Sequence, residues 1–184
     1  IVCDLDDNLF DTQRLKQDLF SMARLLGAQD SEMVYKKTFA HETFDVPVFA
    51  QALFGNGAKA AAYIREAKKL LAQPKKYNYS GVEEFCATLA SNATLILLTY
   101  GHPDFQMVKL QQGGLQPYFT QTIVTQERSK EQELTHLRDQ YGALLVLDNS
   151  DRVMATAQKL ALPYHQIKGA HFSAIYAKEL LKIK

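Results

Sequence analysis

The hydrophobic pattern divides the chain into two regions. From residue 13 to about residue 76, apolar residues recur at helical spacing, as Leu15, Leu19, Met22 and Leu26 do, and no segment has the pattern of a strand. Glycine and proline end several of these periodic segments, as they commonly do at the ends of helices. The pattern predicts four helices, in the segments RLKQDLFSMARLLG, DSEMVYKKTF, DVPVFAQALF and AKAAAYIREAKKLLAQP.

Outside this region, short apolar runs alternate with helical segments. The predicted strands are Ile1 to Asp4, TLILLT, QTIV, ALLVLD and a short one after Pro163. Strands that lack polar alternation and are separated by helices are typical of a parallel sheet covered on both faces. We therefore predict an α/β protein with a doubly wound, Rossmann-like parallel sheet. The sheet domain would comprise residues 1–12 and 77–184, and a small all-helical domain would be inserted as residues 13–76.

Composition and charge limit the kinds of molecule that we expect the protein to bind. The chain has 184 residues, with 21 Lys plus Arg against 20 Asp plus Glu, so its formal net charge is +1. This balance gives no overall field that would attract nucleic acid or an anionic membrane, and we expect neither as a partner. No signal-peptide pattern is visible and the two cysteines are expected to be reduced core thiols, so we expect a cytoplasmic protein. The oligomeric state is not indicated by the sequence.

Polar residues cluster where the predicted strands end. They are Asp4 and Asp6 after the first strand, Thr99 after LILL, Lys130 at the start of the helix after QTIV, and Asp148 and Asn149 after LLVL. The carboxyl ends of parallel strands meet at one edge of the sheet, so these side chains are expected to converge. Crowded carboxylates repel one another and resist burial, which indicates a site for a cation or for developing positive charge.

Four segments resemble the motifs of the haloacid dehalogenase (HAD) superfamily. In order along the chain they are DLDDNLFDT, LILLTYG, the lysine of RSKEQ, and LLVLDNSD. Any one of them is a weak match, whereas all four at strand ends and in order form a specific signal. The resemblance covers essentially the whole chain and is closest to the phosphatase branch. It implies an enzyme with a Rossmann-like HAD core and a small all-helical cap domain inserted after the first motif.

The resemblance assigns the acids of the first motif to catalysis. Asp4 would be the nucleophile that attacks phosphorus and forms an aspartyl-phosphate. Asp6 would protonate the leaving alcohol and then activate water, and its backbone carbonyl would contact the metal. Branches of the superfamily that cleave carbon–halogen bonds generally lack this second acid, because a halide needs no proton. Asp6 therefore favours the chemistry of phosphate esters.

The other motifs would bind phosphate and metal. By resemblance, Thr99 and Lys130 hold the phosphoryl oxygens, and Tyr100 and Gly101 are further phosphate- or substrate-binding candidates. Ser129 is expected to cap the helix that Lys130 opens, with Gln132 completing a capping box. Magnesium suits oxygen ligands, so a Mg²⁺ cofactor is expected. Its ligands would be Asp4, Asp6, Asp148 and Asn149, although the sequence leaves open whether Asn149 or Asp151 completes the set.

Two further features concern the loop after the first motif and the insert. Asn8 stands where the family usually has Thr, and an Asn can make similar local hydrogen bonds to the backbone. Asp11 is expected to cap the first helix of the insert. Four phenylalanines of the insert are expected to pack it internally, with one or two facing the site, namely Phe39, Phe44, Phe49 and Phe54.

These features together predict a Mg²⁺-dependent phosphatase that acts on a small phosphorylated metabolite. Two alternatives remain open at this point. A phosphoryl-transferring mutase would use the same acids and would deliver the phosphoryl group to an acceptor instead of water. A non-catalytic binding protein is also compatible with the sequence, because Asn8 and Asn149 could mark a decayed site. The sequence does not indicate which phosphomonoester is the substrate.

Overall fold

The computed structural model describes residues 1–167 and 172–183. Within these ranges, one sheet is built from five parallel strands, in the order β3-β2-β1-β4-β5. The strands are β1 (Val2–Cys3), β2 (Ile96–Tyr100), β3 (Gln121–Thr125), β4 (Val146–Asp148) and β5 (Tyr164–Gln166). Val2 pairs with Ile96 on one side and with Val146 on the other. The first strand therefore lies at the centre, and the strands on either side of it carry the second and fourth motifs.

The helical insert follows the loop after β1. Its helices are α1 (Thr12–Leu25), α2 (Ser31–Thr38), α3 (Val46–Phe54) and α4 (Ala58–Leu71). The expected cap of α1 is confirmed, since the Asp11 carboxylate accepts a hydrogen bond from the Arg14 backbone N–H at 2.9 Å. The phenylalanines pack as expected. The Phe39 and Phe44 rings have centroids 5.1 Å apart, and Phe49 is fully buried among them.

Helices cover both faces of the sheet. They are α5 (Val82–Ala90), α6 (Pro103–Gln112), α7 (Glu131–Tyr141), α8 (Asp151–Lys159) and α9 (Ala174–Leu180). Val2 belongs to an apolar cluster with residues of α7 and α8, whereas its neighbour Cys3 belongs to a cluster with residues of α5 and α9. This two-sided burial explains why the strand segments show no polar alternation. Among the described residues, no helix has the length and apolar character needed to cross a membrane.

The local structure differs from the predictions at three places. The strands β1 and β4 are shorter than the apolar runs Ile1 to Asp4 and ALLVLD. The capping box expected at the start of α7 is wrong. Lys130 itself holds the N-cap position, with a positive φ of 58°. The Ser129 hydroxyl lies one residue earlier, where it donates to the Glu127 carboxylate and accepts a long hydrogen bond of 3.4 Å from the Glu131 backbone N–H, not from Gln132. The predicted segment 77–184 includes residues 168–171 and 184, which lie outside the described residues.

Candidate active site

Lys130 brings two of the predicted acids together at the edge of the sheet. Its Nζ atom lies 2.7 Å from Asp4 Oδ1 and 2.7 Å from Asp148 Oδ2, and it donates to the Leu98 carbonyl oxygen at 2.9 Å. The ammonium group has three hydrogens, so these acceptors use all of its donors. The three charged side chains are each less than a tenth exposed. We call Asp4, Lys130 and Asp148 the Lys130 centre.

The Lys130 centre holds more negative than positive charge when both of its acids are ionised. Burial raises the pKa of Asp4 to about 7, the charges of Asp148 and Asp6 act in the same direction, and the Lys130 ammonium opposes them. Burial acts to lower the pKa of Lys130, but the two carboxylates outweigh it and hold that pKa above its usual range. The lysine therefore remains a cation between two acids. An uncompensated buried charge is costly, and a cation at this centre would offset it.

Asp6 is held by a different set of side chains. Its Oδ1 atom accepts hydrogen bonds from the Lys109 ammonium and from the Thr12 hydroxyl, and its Oδ2 atom accepts one from Gln106 Nε2 at 2.7 Å. The same Gln106 nitrogen lies 2.6 Å from Thr99 Oγ1. Burial acts to raise the pKa of Asp6. Lys109 and these hydrogen bonds outweigh burial and hold that pKa below its usual range. We call Asp6, Lys109 and Gln106 the Lys109 centre.

Lys109 is an unusual residue for the inward face of a helix. It is 2% exposed, and its Nζ atom lies 5.0 Å from the centroid of the Phe105 ring and 5.7 Å from that of Phe10. Both Lys109 and Gln106 were missed in the sequence. The available signal was their spacing of three residues on α6, which places two polar side chains on the same face of the helix after the second motif.

Two adjoining cavities open beside these centres. The first, of about 520 Å³, is the rim cavity, and its lining includes Asp4, Lys130, Asp148, Asn149 and Asp151. The second, of about 270 Å³, is the insert cavity, and it lies between the insert and the sheet domain. Four residues line both cavities, namely Asp6, Asp7, Tyr100 and Arg128. Phe39 and Phe44 are the two insert phenylalanines of the predicted four that line the insert cavity.

The segment after β2 is held by backbone and side-chain hydrogen bonds. Gly101 lines the insert cavity, its N–H donates to the Thr125 carbonyl at 3.2 Å, and its own carbonyl accepts from Gln126 Nε2 at 2.9 Å. A Cβ atom at Gly101 would lie 2.9 to 3.1 Å from the Gln106 side chain, so a larger residue would displace that side chain. Thr99 is fully buried. The roles of Thr99, Tyr100 and Gly101 in binding phosphate remain predictions.

Asn8 braces the loop that follows the nucleophile position. It is fully buried, and its Nδ2 atom donates to the carbonyl oxygens of Asp4 and Leu147, each at 3.1 Å. These bonds tie the loop to β4, the strand that carries Asp148. The expectation that Asn8 makes local backbone hydrogen bonds is confirmed.

The oxygen atoms at the rim fit a hard cation such as Mg²⁺. Asp4 and Asp148 supply two carboxylates with excess negative charge, and Asn149 lines the same cavity. Among the described residues, no group of three or more His, Cys, Asp or Glu side chains could hold a metal ion. A magnesium ion would therefore take its other ligands from carbonyl or amide oxygens and from water, as is common for this ion. The Asp151 carboxylate accepts a hydrogen bond from Gln166 Nε2 at 2.6 Å.

Comparisons with known proteins were made for the whole chain. No protein-family model matches it, and no curated protein sequence matches it. Several solved structures are similar. A haloacid dehalogenase-like family hydrolase from Xanthomonas campestris has a TM-score of 0.69 and 15% identity, over 97% of this chain and 90% of that one. The HAD hydrolase YfnB from Bacillus subtilis, bound to magnesium, has a TM-score of 0.62 and 13% identity, over 99% and 97%.

A third similar structure comes from a dehalogenase. It is the L-2-haloacid dehalogenase from Xanthobacter autotrophicus with chloropropionic acid covalently bound, with a TM-score of 0.60 and 15% identity over 100% of this chain and 83% of that one. Likeness at such low identity concerns the fold. The chain has the fold of HAD-like hydrolases, and the fold expected from the four motifs is confirmed.

Proposed function

We propose that this protein is a Mg²⁺-dependent phosphatase that hydrolyses a small phosphomonoester through an aspartyl-phosphate intermediate. The observation that carries the proposal is the pairing of Asp4 and Asp148 with one lysine at the edge of the sheet. Asp6 lies two residues further on and lines the same rim cavity. This arrangement brings a nucleophile, a fixed positive charge and a proton carrier around one space.

In the first half of the reaction, the Asp4 carboxylate attacks phosphorus. A bond forms between its oxygen and phosphorus, and the bond from phosphorus to the ester oxygen breaks. For this step Asp6 must be in its protonated form, whereas Lys109 favours its ionised form before substrate binds. Protonated Asp6 gives its proton to the departing oxygen, so that an alcohol leaves instead of an alkoxide.

The positive charge of Lys130 stabilises the negative charge on the phosphoryl oxygens through space, because its three hydrogens already serve Asp4, Asp148 and the Leu98 carbonyl. Thr99 is fully buried and would donate to these oxygens once substrate reaches its hydroxyl.

In the second half, water replaces Asp4 on phosphorus. The Asp6 carboxylate takes a proton from the water, whose oxygen attacks the phosphorus of the aspartyl-phosphate. The bond between phosphorus and the Asp4 oxygen breaks, inorganic phosphate leaves, and Asp4 is again a carboxylate. Asp6 has then recovered the proton that it gave to the leaving alcohol, so the cycle is balanced.

Magnesium, when bound, would polarise the phosphoryl group and neutralise its charge as the two anions meet. Asp4 and Asp148 would hold it through carboxylate oxygens, Asp6 through its backbone carbonyl, and Asn149 through its amide oxygen. The excess negative charge of the Lys130 centre supports this assignment. A solved structure of the same fold, YfnB, is bound to magnesium, which agrees with it.

The insert would act as a cap that excludes water and selects the leaving group. Its residues line the smaller cavity of about 270 Å³, which suits a small metabolite. The same fold also occurs in a haloacid dehalogenase. The presence of an acid at Asp6, two residues after the nucleophile and in the lining of the rim cavity, favours a leaving group that needs a proton and therefore favours phosphate esters.

The first test is phosphate release from 4-nitrophenyl phosphate, with Mg²⁺ and with a chelator. We expect Mg²⁺-dependent release that falls at least about 1,000-fold in Asp4→Asn, because the nucleophile is lost. The matched control is Asp11→Asn, which makes the same change on a carboxylate that caps α1 and leaves a side-chain acceptor in place. Mass spectrometry checks that the introduced asparagine has not deamidated back to aspartate.

Several outcomes would contradict the proposal. Equal turnover by Asp4→Asn would remove Asp4 as the nucleophile, and full activity in chelator would remove the metal. Halide release from 2-chloropropionate would indicate a dehalogenase, and a phosphorylated acceptor without free phosphate would indicate a mutase. If no ester is hydrolysed, beryllium fluoride separates the remaining cases. A stable Mg²⁺-dependent adduct on Asp4 would indicate a selective enzyme, and its absence would indicate a binding protein.

A further inference from the structure

We infer that Lys109 and Gln106 are positioning residues. They hold the Asp6 carboxylate at a fixed distance from the Thr99 hydroxyl, so that Asp6 meets the leaving group. The inference rests on the proposed function, in which Asp6 transfers the proton. Neither residue belongs to the four motifs. Both lie on α6, which begins three residues after β2 ends, and both are 2% exposed.

The first argument is that the partners of the Asp6 side chain come from elsewhere in the fold. Asp6 lies in a tight loop, in which the following residue, Asp7, has a φ of 52°. The Asp6 carboxylate is held by Lys109 and Gln106 from α6 and by Thr12 from the first turn of α1. The position of this carboxylate therefore depends on α6 and on the start of the insert.

The second argument concerns the burial of Lys109. An ammonium group that is almost fully buried carries a large desolvation cost, and a buried ion pair that is replaced as a whole by well-packed apolar residues is often as stable or more stable. Phe10 and Phe105 pack around the Lys109 ammonium, so a methionine of similar length would also have apolar neighbours there. Stability alone therefore gives no reason for a lysine–aspartate pair at this place, whereas a fixed charge aimed at Asp6 gives one.

The third argument is the shared amide of Gln106. One nitrogen atom lies 2.7 Å from Asp6 Oδ2, 2.6 Å from Thr99 Oγ1 and 3.0 Å from the Tyr100 carbonyl oxygen, so its two hydrogens are shared among three acceptors, of which Asp6 and Thr99 are the two nearest. Thr99 is assigned to an oxygen on the phosphorus, and Asp6 to the oxygen that leaves the same phosphorus. A single side chain therefore sets the distance between the two groups that must act on one phosphoryl centre.

The test compares two substrates of nearly the same shape, phenyl phosphate and 4-nitrophenyl phosphate. Phenolate is much more basic than 4-nitrophenolate and depends more on a proton from the enzyme. The ratio kcat/KM reports the steps up to release of the phenol. In Lys109→Met and in Gln106→Met, we expect kcat/KM to fall for phenyl phosphate at least about 10-fold more than for 4-nitrophenyl phosphate.

The controls separate positioning from loss of folding. Asp6→Asn should show the same selective loss, and the double variant with Lys109→Met should lose little more, because both changes affect one step. Lys76→Met is the matched control, since it removes a lysine that lies 2.9 Å from Asp18 and outside both cavities. It should leave the ratio between the two substrates unchanged. An equal loss for both substrates in Lys109→Met and Gln106→Met would overturn the inference.

A crystal structure of Lys109→Met tests the inference without any activity. We expect the Asp6 carboxylate to leave its place beside Gln106 and Thr12 while the backbone of α6 stays unchanged. An Asp6 side chain that keeps both contacts would overturn the inference. Failure of the proposed function has a different signature, namely unchanged turnover in Asp4→Asn, and the position of Asp6 can be read in either case.

Discussion

Both centres of the site pair a buried lysine with an acid, yet the pKa values of Asp4 and Asp6 are shifted in opposite directions. In the Lys130 centre, one lysine serves two carboxylates, and burial raises the pKa of Asp4 to about 7. In the Lys109 centre, one lysine serves a single carboxylate that also accepts two neutral hydrogen bonds, and the pKa of Asp6 is lowered despite its burial. The first centre has an excess of negative charge and the second is balanced.

This difference shows that the number of acids for each lysine, more than the presence of an ion pair, decides whether the pKa of a buried acid is raised or lowered. A buried lysine placed between two acids leaves a demand for a further cation, which suits a metal site. A buried lysine beside one acid satisfies that acid and fixes its position. The variants below are ordered from the largest expected effect to the smallest, and each tests whether the two centres differ in this way.

The largest effect is expected for Lys130→Met. It leaves Asp4 and Asp148 buried without their shared cation, so we expect a loss of about 3 to 5 kcal/mol in the free energy of unfolding, together with loss of activity. Urea unfolding at neutral pH measures the change in the free energy of unfolding. Because the remaining charges are both negative, MgCl₂ should restore part of the stability. Lys109→Met should show no such rescue, and equal rescue of both variants would contradict the distinction between the centres.

Metal binding should depend on the Lys130 centre. We expect Asp148→Asn to weaken Mg²⁺ binding at least about 10-fold, as measured by titration calorimetry, because a carboxylate ligand becomes neutral. Asn149→Ala should weaken it less, and Asp151→Asn least, since the Asp151 carboxylate already accepts a hydrogen bond from Gln166. A larger effect at Asp151 than at Asn149 would assign the remaining ligand position to Asp151.

The brace behind the Lys130 centre should contribute a smaller amount. Asn8→Leu removes the donor that serves the carbonyl oxygens of Asp4 and Leu147, and we expect it to cost about 1 to 3 kcal/mol in unfolding free energy. Asn8→Thr keeps a hydroxyl donor and should cost less. If the two variants are equally destabilised, the hydrogen bonds of Asn8 are not the source of the effect.

The smallest effect is expected for a third lysine–aspartate pair, which is partly exposed. Burial acts to raise the pKa of Asp18, but hydrogen bonds from Lys76 and Tyr77 outweigh it and lower that pKa. A lowered folded-state pKa adds stability above the unfolded value of about 3.9, and this stability is lost as the pH falls through the folded value. Asp18→Asn should therefore cost at most about 1 kcal/mol at pH 7 and almost nothing near pH 2, in urea unfolding. A cost that does not change with pH would contradict this account.

Much of the fold could be predicted from the sequence, because its signals are local. Continuous apolar runs marked the parallel strands, and helical periodicity marked the insert. The convergence of Asp4, Lys130 and Asp148 followed from their places at strand ends. Lys109 could not be assigned in this way, because its partner Asp6 lies 103 residues away and only packing brings them together. The capping box at Ser129 failed because Lys130 takes the N-cap position in a left-handed conformation.

The two cavities are built from different parts of the chain. All the residues that line the rim cavity lie in segments 4–7 and 100–153, whereas α1, α2 and the loop after α2 supply much of the insert cavity. Substitutions in the insert beyond Thr12, whose hydroxyl holds Asp6, can therefore reshape the space for one end of a ligand while the acids and lysines of the rim keep their places. In such an architecture, the range of molecules accepted can drift during evolution at little risk to the reactive centre, and substrate preference is best engineered by changing the insert alone.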